Sequence, residues 1–258
     1  MKPIKLDDYA ARYEYVTMER HEGILQVSIH EKNDRNTPVR WGVEPHQELS
    51  YVFYDIARDH ENHCVIITGV ADTFIGAETT LGDRPIPPSA WDHAYQDCKF
   101  LLMNHLSIEV PTIAAVNGPA LIRAELALLC DIVLASDSAE FQDAPHFPRG
   151  VVPGDGVHLV WPLLLGPNRG RYFLLTGQKL SAQEAMTLGV VSEVLPRDRL
   201  LPRAWELARQ ITARPTLAAR YARVAMTQTL KQMMLADLGY GFALEGLSAA
   251  HSWGMPKK

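Results

Sequence analysis

The feature that most constrains this chain is the alternation of short, β-branched apolar runs with longer stretches whose apolar residues recur every three or four positions. The runs 24–29 (ILQVSI), 64–68 (CVIIT), 112–116 (TIAAV) and 131–135 (DIVLA) carry almost no polar residues. Such runs suit strands buried on both faces. Between them, residues 45–62 place Leu49, Val52, Phe53 and Ile56 on one helical face. Residues 91–106 do the same with Tyr95, Phe100, Leu101 and Leu102, after the breaker run PIPPS. Strand–helix alternation of this kind predicts right-handed crossovers and a largely parallel sheet.

The pattern changes after about Gly166, where helical segments are expected over 169–176, 181–188, 202–213 and 217–252. Ser181 with Glu184 spells a capping box, and Gly189 is a natural helix stop. The sequence therefore predicts an α/β core over 1–200 and a helical C-terminal section over 201–258. That section is expected to reach back over the core or across to a neighbouring subunit.

Composition narrows the function. With 258 residues, 47% of them hydrophobic, the chain can bury a full core. A net charge of −5 argues against a nucleic-acid surface, which needs clustered Lys and Arg; the Arg-rich stretch 214–223 reads as a solvated helix face. No apolar run approaches the ~20 residues of a membrane span. The polar, acidic N-terminus MKPIKLDDYAARYEYV is unlike a secretory signal, and Cys64, Cys98 and Cys130 sit in apolar contexts without ligand spacing. A cytoplasmic protein is expected, with neither membrane nor nucleic acid as partner.

The residue pair that stands out as chemical apparatus is His146 and Asp155. His146 lies between Pro145 and Pro148, and Asp155 lies nine positions on in the tight VPGDG segment. A loop of that length can fold a carboxylate back onto an imidazole. Such a pair can activate water, because His titrates near neutrality and a carboxylate can hold its tautomer. The histidines show no metal-ligand spacing, so no metal is expected.

Residues 114–135 (AAVNGPALIRAELALLCDIVLA), 65–78 (VIITGVADTFIGAE), 141–156 (FQDAPHFPRGVVPGDG) and 174–196 (LLTGQKLSAQEAMTLGVVSEVLP) resemble the crotonase, or enoyl-CoA hydratase/isomerase, superfamily. The resemblance implies a crotonase-like spiral core of ββα units, ending in helices, and a homotrimer or hexamer. Members that use coenzyme A carry a Gly-Gly-Gly run that helps open a hole for a thioester oxyanion. Here that run is replaced by Leu121-Ile122-Arg123, one residue shorter. A β-branched residue where backbone must approach a ligand argues against a hole of that kind.

These departures, together with PHFPRGVVPGDG, LADLGYGFALEG and a Trp in the early loop, resemble the β-diketone hydrolases of the 6-oxocamphor hydrolase type. That resemblance implies a retro-Claisen hydrolysis of a free cyclic diketone, with no cofactor. It implies a site with His146, Asp155 and Glu245 as catalytic residues and Trp41 and Arg123 against the substrate. Arg123 stands where that type has a His, so it either points into the pocket or pairs with an acid such as Glu125. A CoA-dependent hydratase or isomerase is the alternative.

Overall fold

The computed structural model describes residues 4–79 and 84–253. A short helix α1 (Leu6–Tyr9) precedes the hairpin β1 (Val16–His21) and β2 (Ile24–Ile29), and helix α2 (Val43–Arg58) completes the first ββα unit. Then come β3 (Cys64–Gly69), α3 (Pro88–Leu106), β4 (Thr112–Val116), the short α4 (Glu125–Leu128), β5 (Ile132–Ser136) and β6 (Glu140–Phe141). The remainder is α5 (Val157–Leu165), α6 (Pro167–Thr176), β7 (Leu180–Ser181), α7 (Ala182–Thr187), β8 (Glu193–Leu195), α8 (Arg197–Thr212) and the long α9 (Thr216–Ser252).

The main sheet has the order β1-β2-β3-β4-β5-β8, antiparallel at β1–β2 and parallel at every other pairing. Every residue of β3 and β4 is buried, as their continuous apolar runs require. A second, smaller wall is built from the segments that leave β3, β4 and β5: Ile75 bridges Ala120, Ala120 bridges Phe141, and β6 pairs with β7. The chain thus passes repeatedly between the two walls, which is the spiral that the resemblance implied.

The four expected strands form within one residue of their expected ends, and Ser181 and Glu184 make the reciprocal capping box at α7. Several elements escaped the sequence reading, among them the short α1, β6, β7 and β8. Strand β1 escaped because its VTMERH text mixes exposed and buried positions, one side of this edge strand meeting solvent. Helix α5 carries Pro162 inside it.

Helix α9 lies back over the core. Trp91 of α3 donates its indole N–H to the Phe242 carbonyl at 3.2 Å and stacks on the Phe242 ring at 4.7 Å. Among the described residues no helix is long and apolar enough to cross a membrane.

Candidate active site

The loop after β6 is anchored on both sides of Asp143. Gln142 N–H donates to the Ala120 carbonyl at 3.3 Å and Ala144 N–H to the Leu121 carbonyl at 3.0 Å. The His146 carbonyl then accepts from Arg149 N–H at 2.8 Å and Val151 N–H at 3.1 Å, closing a single helical turn over Phe147–Arg149. The chain runs on through Gly154 to Asp155, pressed hard against α9. A Cβ on Gly154 would stand 2.1 Å from the Gly241 carbonyl oxygen and 2.8 Å from Glu245 Cβ. Glycine at 154 therefore permits the approach that carries Asp155 up to Glu245.

Three carboxylates surround the His146 ring. Asp143 Oδ1 lies 2.5 Å from Nδ1, while Asp155 Oδ2 and Glu245 Oε1 lie 3.3 and 3.4 Å from Nε2. His146 and Asp155, picked out by their spacing, and Glu245, implied by the resemblance, are thus brought together in one buried cluster. Asp143 was not singled out; its spacing of three residues from His146 was the available signal.

Arg123 does both things considered for it. Its guanidinium lines the cavity beside Trp41, 5.6 Å from the indole ring, and is paired with acids. Nη1 forms an ion pair with Asp155 Oδ2 at 2.7 Å and donates a hydrogen bond to Glu125 Oε1 at 3.0 Å. Its backbone occupies the left-handed region at φ 54°, unusual for a non-glycine residue and a sign of local strain. Nη2 lies 3.2 Å from His46 Nδ1. A guanidinium cannot accept, so His46 Nδ1 must, and the ring proton then sits on Nε2. His46 Nε2 has no partner among the described residues, and the ring lines the cavity. Sequence reasoning passed over His46 because its position on α2 reads as an ordinary helix site.

Charge settles unevenly across this cluster. Burial and then the Arg123 cation push His46 down to about 3, so it is neutral at physiological pH. Burial opposes a charged His146, yet Asp143, Asp155 and Glu245 together raise it well above an ordinary histidine. Asp155 is buried, but Arg123 and His146 hold its carboxyl far below the usual range. Burial raises Glu245 to about 7, against the pull of His146, so this carboxyl can carry or release a proton near neutrality. Arg123 stays charged despite burial because Asp155 and Glu125 face it.

The cavity measures ≈ 320 Å³, the lower end of the range for small-ligand sites. Its apolar walls come from Trp41, Ile86, Ala90, Trp91, Ala94, Ile122 and Phe242, and its polar floor from His46, Arg123, His146, Asp155 and Glu245. It suits a compact apolar ring bearing few polar groups. His146, Asp155 and Glu245 could also offer one ligand atom each to a cation, all within 4.8 Å. The Arg123 guanidinium already holds Asp155 Oδ2, however, and sets a fixed positive charge beside any such ion.

Comparison with known proteins bears on both fold and chemistry. Residues 19–240 match the family model described as enoyl-CoA hydratase/isomerase. Carnitinyl-CoA dehydratase of Citrobacter koseri is 32% identical over 206 residues, covering 77% of this chain and 75% of its own. Short-chain-enoyl-CoA hydratase of Clostridium acetobutylicum is 28% identical over 201 residues, with the same coverage of 77% and 75%. Among solved structures, a β-diketone hydrolase of the cyanobacterium Anabaena sp. PCC 7120, bound to (S)-3-oxocyclohexyl acetic acid, superposes with a TM-score of 0.90. It is 48% identical, and the match covers 95% of this chain and 97% of that one. An enoyl-CoA hydratase/isomerase from Mycobacterium paratuberculosis, 24% identical, shares the fold at a TM-score of 0.83 over 92% and 94% of the two chains. By family model, sequence and fold together, the chain belongs to the enoyl-CoA hydratase/isomerase family.

Proposed function

We propose that this protein is a hydrolase that opens a cyclic β-diketone by cleaving a carbon–carbon bond, without coenzyme A. The observation that carries the reading is the His146 ring, set between buried carboxylates on the floor of a small apolar cavity. The likeness to the cyanobacterial β-diketone hydrolase supports it, since the ligand in that structure is a keto acid.

The proposed chemistry follows from the groups present. His146 Nε2 takes a proton from water as the oxygen adds to one ketone carbon. The tetrahedral adduct re-forms its C=O double bond and breaks the bond to the carbon between the two carbonyls. The departing pair is absorbed by the second ketone as an enolate. That carbon receives the proton, from His146 directly or through Glu245, and the product is a keto acid. Water is the only co-reactant.

Oxygen-bound charge needs donors fixed in place. Trp41, Arg123 and the neutral His46 stand around the same cavity, and a neutral imidazole N–H is a suitable donor to an enolate oxygen. Arg123 Nη1 is committed to Asp155 and Glu125. It therefore contributes chiefly as a fixed cation that keeps Asp155 ionised. In this reading the helical section 201–258 supplies a wall of the site through Phe242 and Glu245. Exposed apolar residues on α9, such as Leu235, Tyr240 and Leu247, suit subunit contacts in a cytoplasmic homotrimer or hexamer.

The second reading, a CoA-dependent hydratase, is favoured by sequence relatives such as the carnitinyl-CoA dehydratase and the short-chain-enoyl-CoA hydratase. One panel separates the readings: bicyclic and monocyclic 1,3-diketones on one side, crotonyl-CoA on the other. We expect keto-acid formation from at least one diketone and no hydration of crotonyl-CoA. Micromolar crotonyl-CoA hydration with inert diketones would restore the hydratase.

A further inference from the structure

We propose that Asp143 is the positioning residue of this site: its carboxylate, rather than that of Asp155, fixes the tautomer and direction of the His146 ring. The inference rests on the proposed hydrolase activity only for its kinetic consequence.

The geometry separates the three carboxylates. At 2.5 Å the Asp143 contact is the shortest the ring makes, and it is made at Nδ1. The contacts at Nε2, 3.3 and 3.4 Å, are longer than a strong charge-assisted hydrogen bond. The side chain of Asp143 is 1% exposed, and its Oδ2 has no partner among the described residues. Asp155, by contrast, already has the Arg123 guanidinium at 2.7 Å. The charge of Asp143 is thus answered by the imidazole, and that of Asp155 by Arg123.

Topology points the same way. His146, Asp155 and Glu245 line the cavity, whereas Asp143 is absent from its lining. If Asp155 held the ring proton at Nε2, the free lone pair would lie on Nδ1, facing Asp143 and away from substrate. With the proton held at Nδ1 by Asp143, Nε2 titrates, and it faces the cavity. Backbone bonds at Gln142 and Ala144 anchor Asp143 independently of His146, so the carboxylate is preset.

Other charged groups face the ring as well. Asp155 comes from the loop before α5, Glu245 from α9, and Arg123, backed by Glu125 and His46, from the turn before α4. His158 lies within the first turn of α5 and adds a weaker influence. A change at Asp143 must therefore be read against these fixed neighbours.

The test begins with the wild-type protein. Imidazole ¹⁵N NMR, with His146 assigned by loss of its signals in His146→Gln, reports which nitrogen carries the proton in the neutral ring. Protonated Nδ1 is expected; protonated Nε2 would overturn the proposal without any Asp143 variant. In Asp143→Asn the His146 titration should move down by a pH unit or more. On a cleaved diketone, kcat should fall at least tenfold with KM within threefold, and Asp143→Glu should recover part of the loss. An unchanged His146 titration in folded Asp143→Asn would overturn the assignment. Should no 1,3-diketone be cleaved by wild type, the functional reading fails, while the NMR result still decides the role of Asp143.

Discussion

Two of the buried ionic clusters among the described residues are built differently. One lies where α9 meets the end of α3 and the start of β5. There Arg223, 1% exposed, donates Nε–H to the Ile108 carbonyl at 2.6 Å and pairs through Nη1 with Asp131. The other Asp131 oxygen accepts from Thr112 N–H at 2.7 Å and Thr112 Oγ1 at 3.1 Å. Within that cluster only Arg223 Nη2 is left without a partner among the described residues. The second cluster is the candidate site, where His46 Nε2, Glu125 Oε2, Asp143 Oδ2, Asp155 Oδ1 and Glu245 Oε2 all lack one. A clamp satisfies its polar atoms with protein groups. A site leaves some unsatisfied for water and substrate, and the cost falls on stability.

The largest expected effect lies in the second cluster. His146→Ala should cut kcat/KM for a diketone about 10²–10⁴-fold, the range of a lost general base, with circular dichroism unchanged. Activity within twofold of wild type, on folded protein, would remove His146 from the chemistry.

Next comes the first cluster, where stability and not rate should suffer. Arg223→Ala leaves Asp131 without its cation and should cost about 3 kcal/mol by urea denaturation. The kcat/KM per folded molecule should stay within twofold. A selective rate loss at full stability would erase the distinction between the clusters.

A smaller effect is a displaced pH profile. A base works deprotonated, and the surrounding carboxylates hold His146 protonated to a higher pH than a free histidine. The rising limb of kcat/KM should therefore lie above about pH 6.5, the ordinary histidine value. A limb below that value would contradict the environment described for His146.

The smallest concerns Glu125, fully buried and pushed by burial, and then by Asp155, up to about 7. A carboxyl with a raised folded pKa stabilises the fold while neutral. That contribution is complete below its unfolded value near 4.5 and is lost as pH rises through about 7. Glu125→Gln cannot lose it. Relative to wild type, the variant should gain about 2 kcal/mol between pH 5 and pH 8, seen as diverging denaturation midpoints. Parallel midpoints would show that Arg123 keeps Glu125 ionised throughout.

The comparison also shows what could be read without a fold. The β-branched runs at 24–29 and 112–116 became β2 and β4 with the expected ends, since a strand buried on both faces admits little else. The prolines around His146 and the glycines beside Asp155 announced rigid, tight segments, because their backbone restrictions are local. Resemblance then added Trp41, Arg123 and Glu245 to the candidates, and the structure places all three at the cavity.

Partnership was legible only in part: the approach of Asp155 to His146 and the pairing of Arg123 with Glu125 were anticipated, the rest of the cluster was not. Glu245 occupies a helical position whose text, taken alone, favours a solvent-facing residue, yet the structure buries it. Asp143 and Asp155 are both acids near His146 in sequence, yet they meet opposite nitrogens of its ring. The proton position on His46 depends on a guanidinium that reaches it from another turn of the spiral. Periodicity specifies which face of an element is buried, and turn residues specify where the chain bends. Which charges then meet, and hence which proton each group holds, depends on distances of a few ångströms between segments remote in sequence. Only the packed tertiary structure sets those distances.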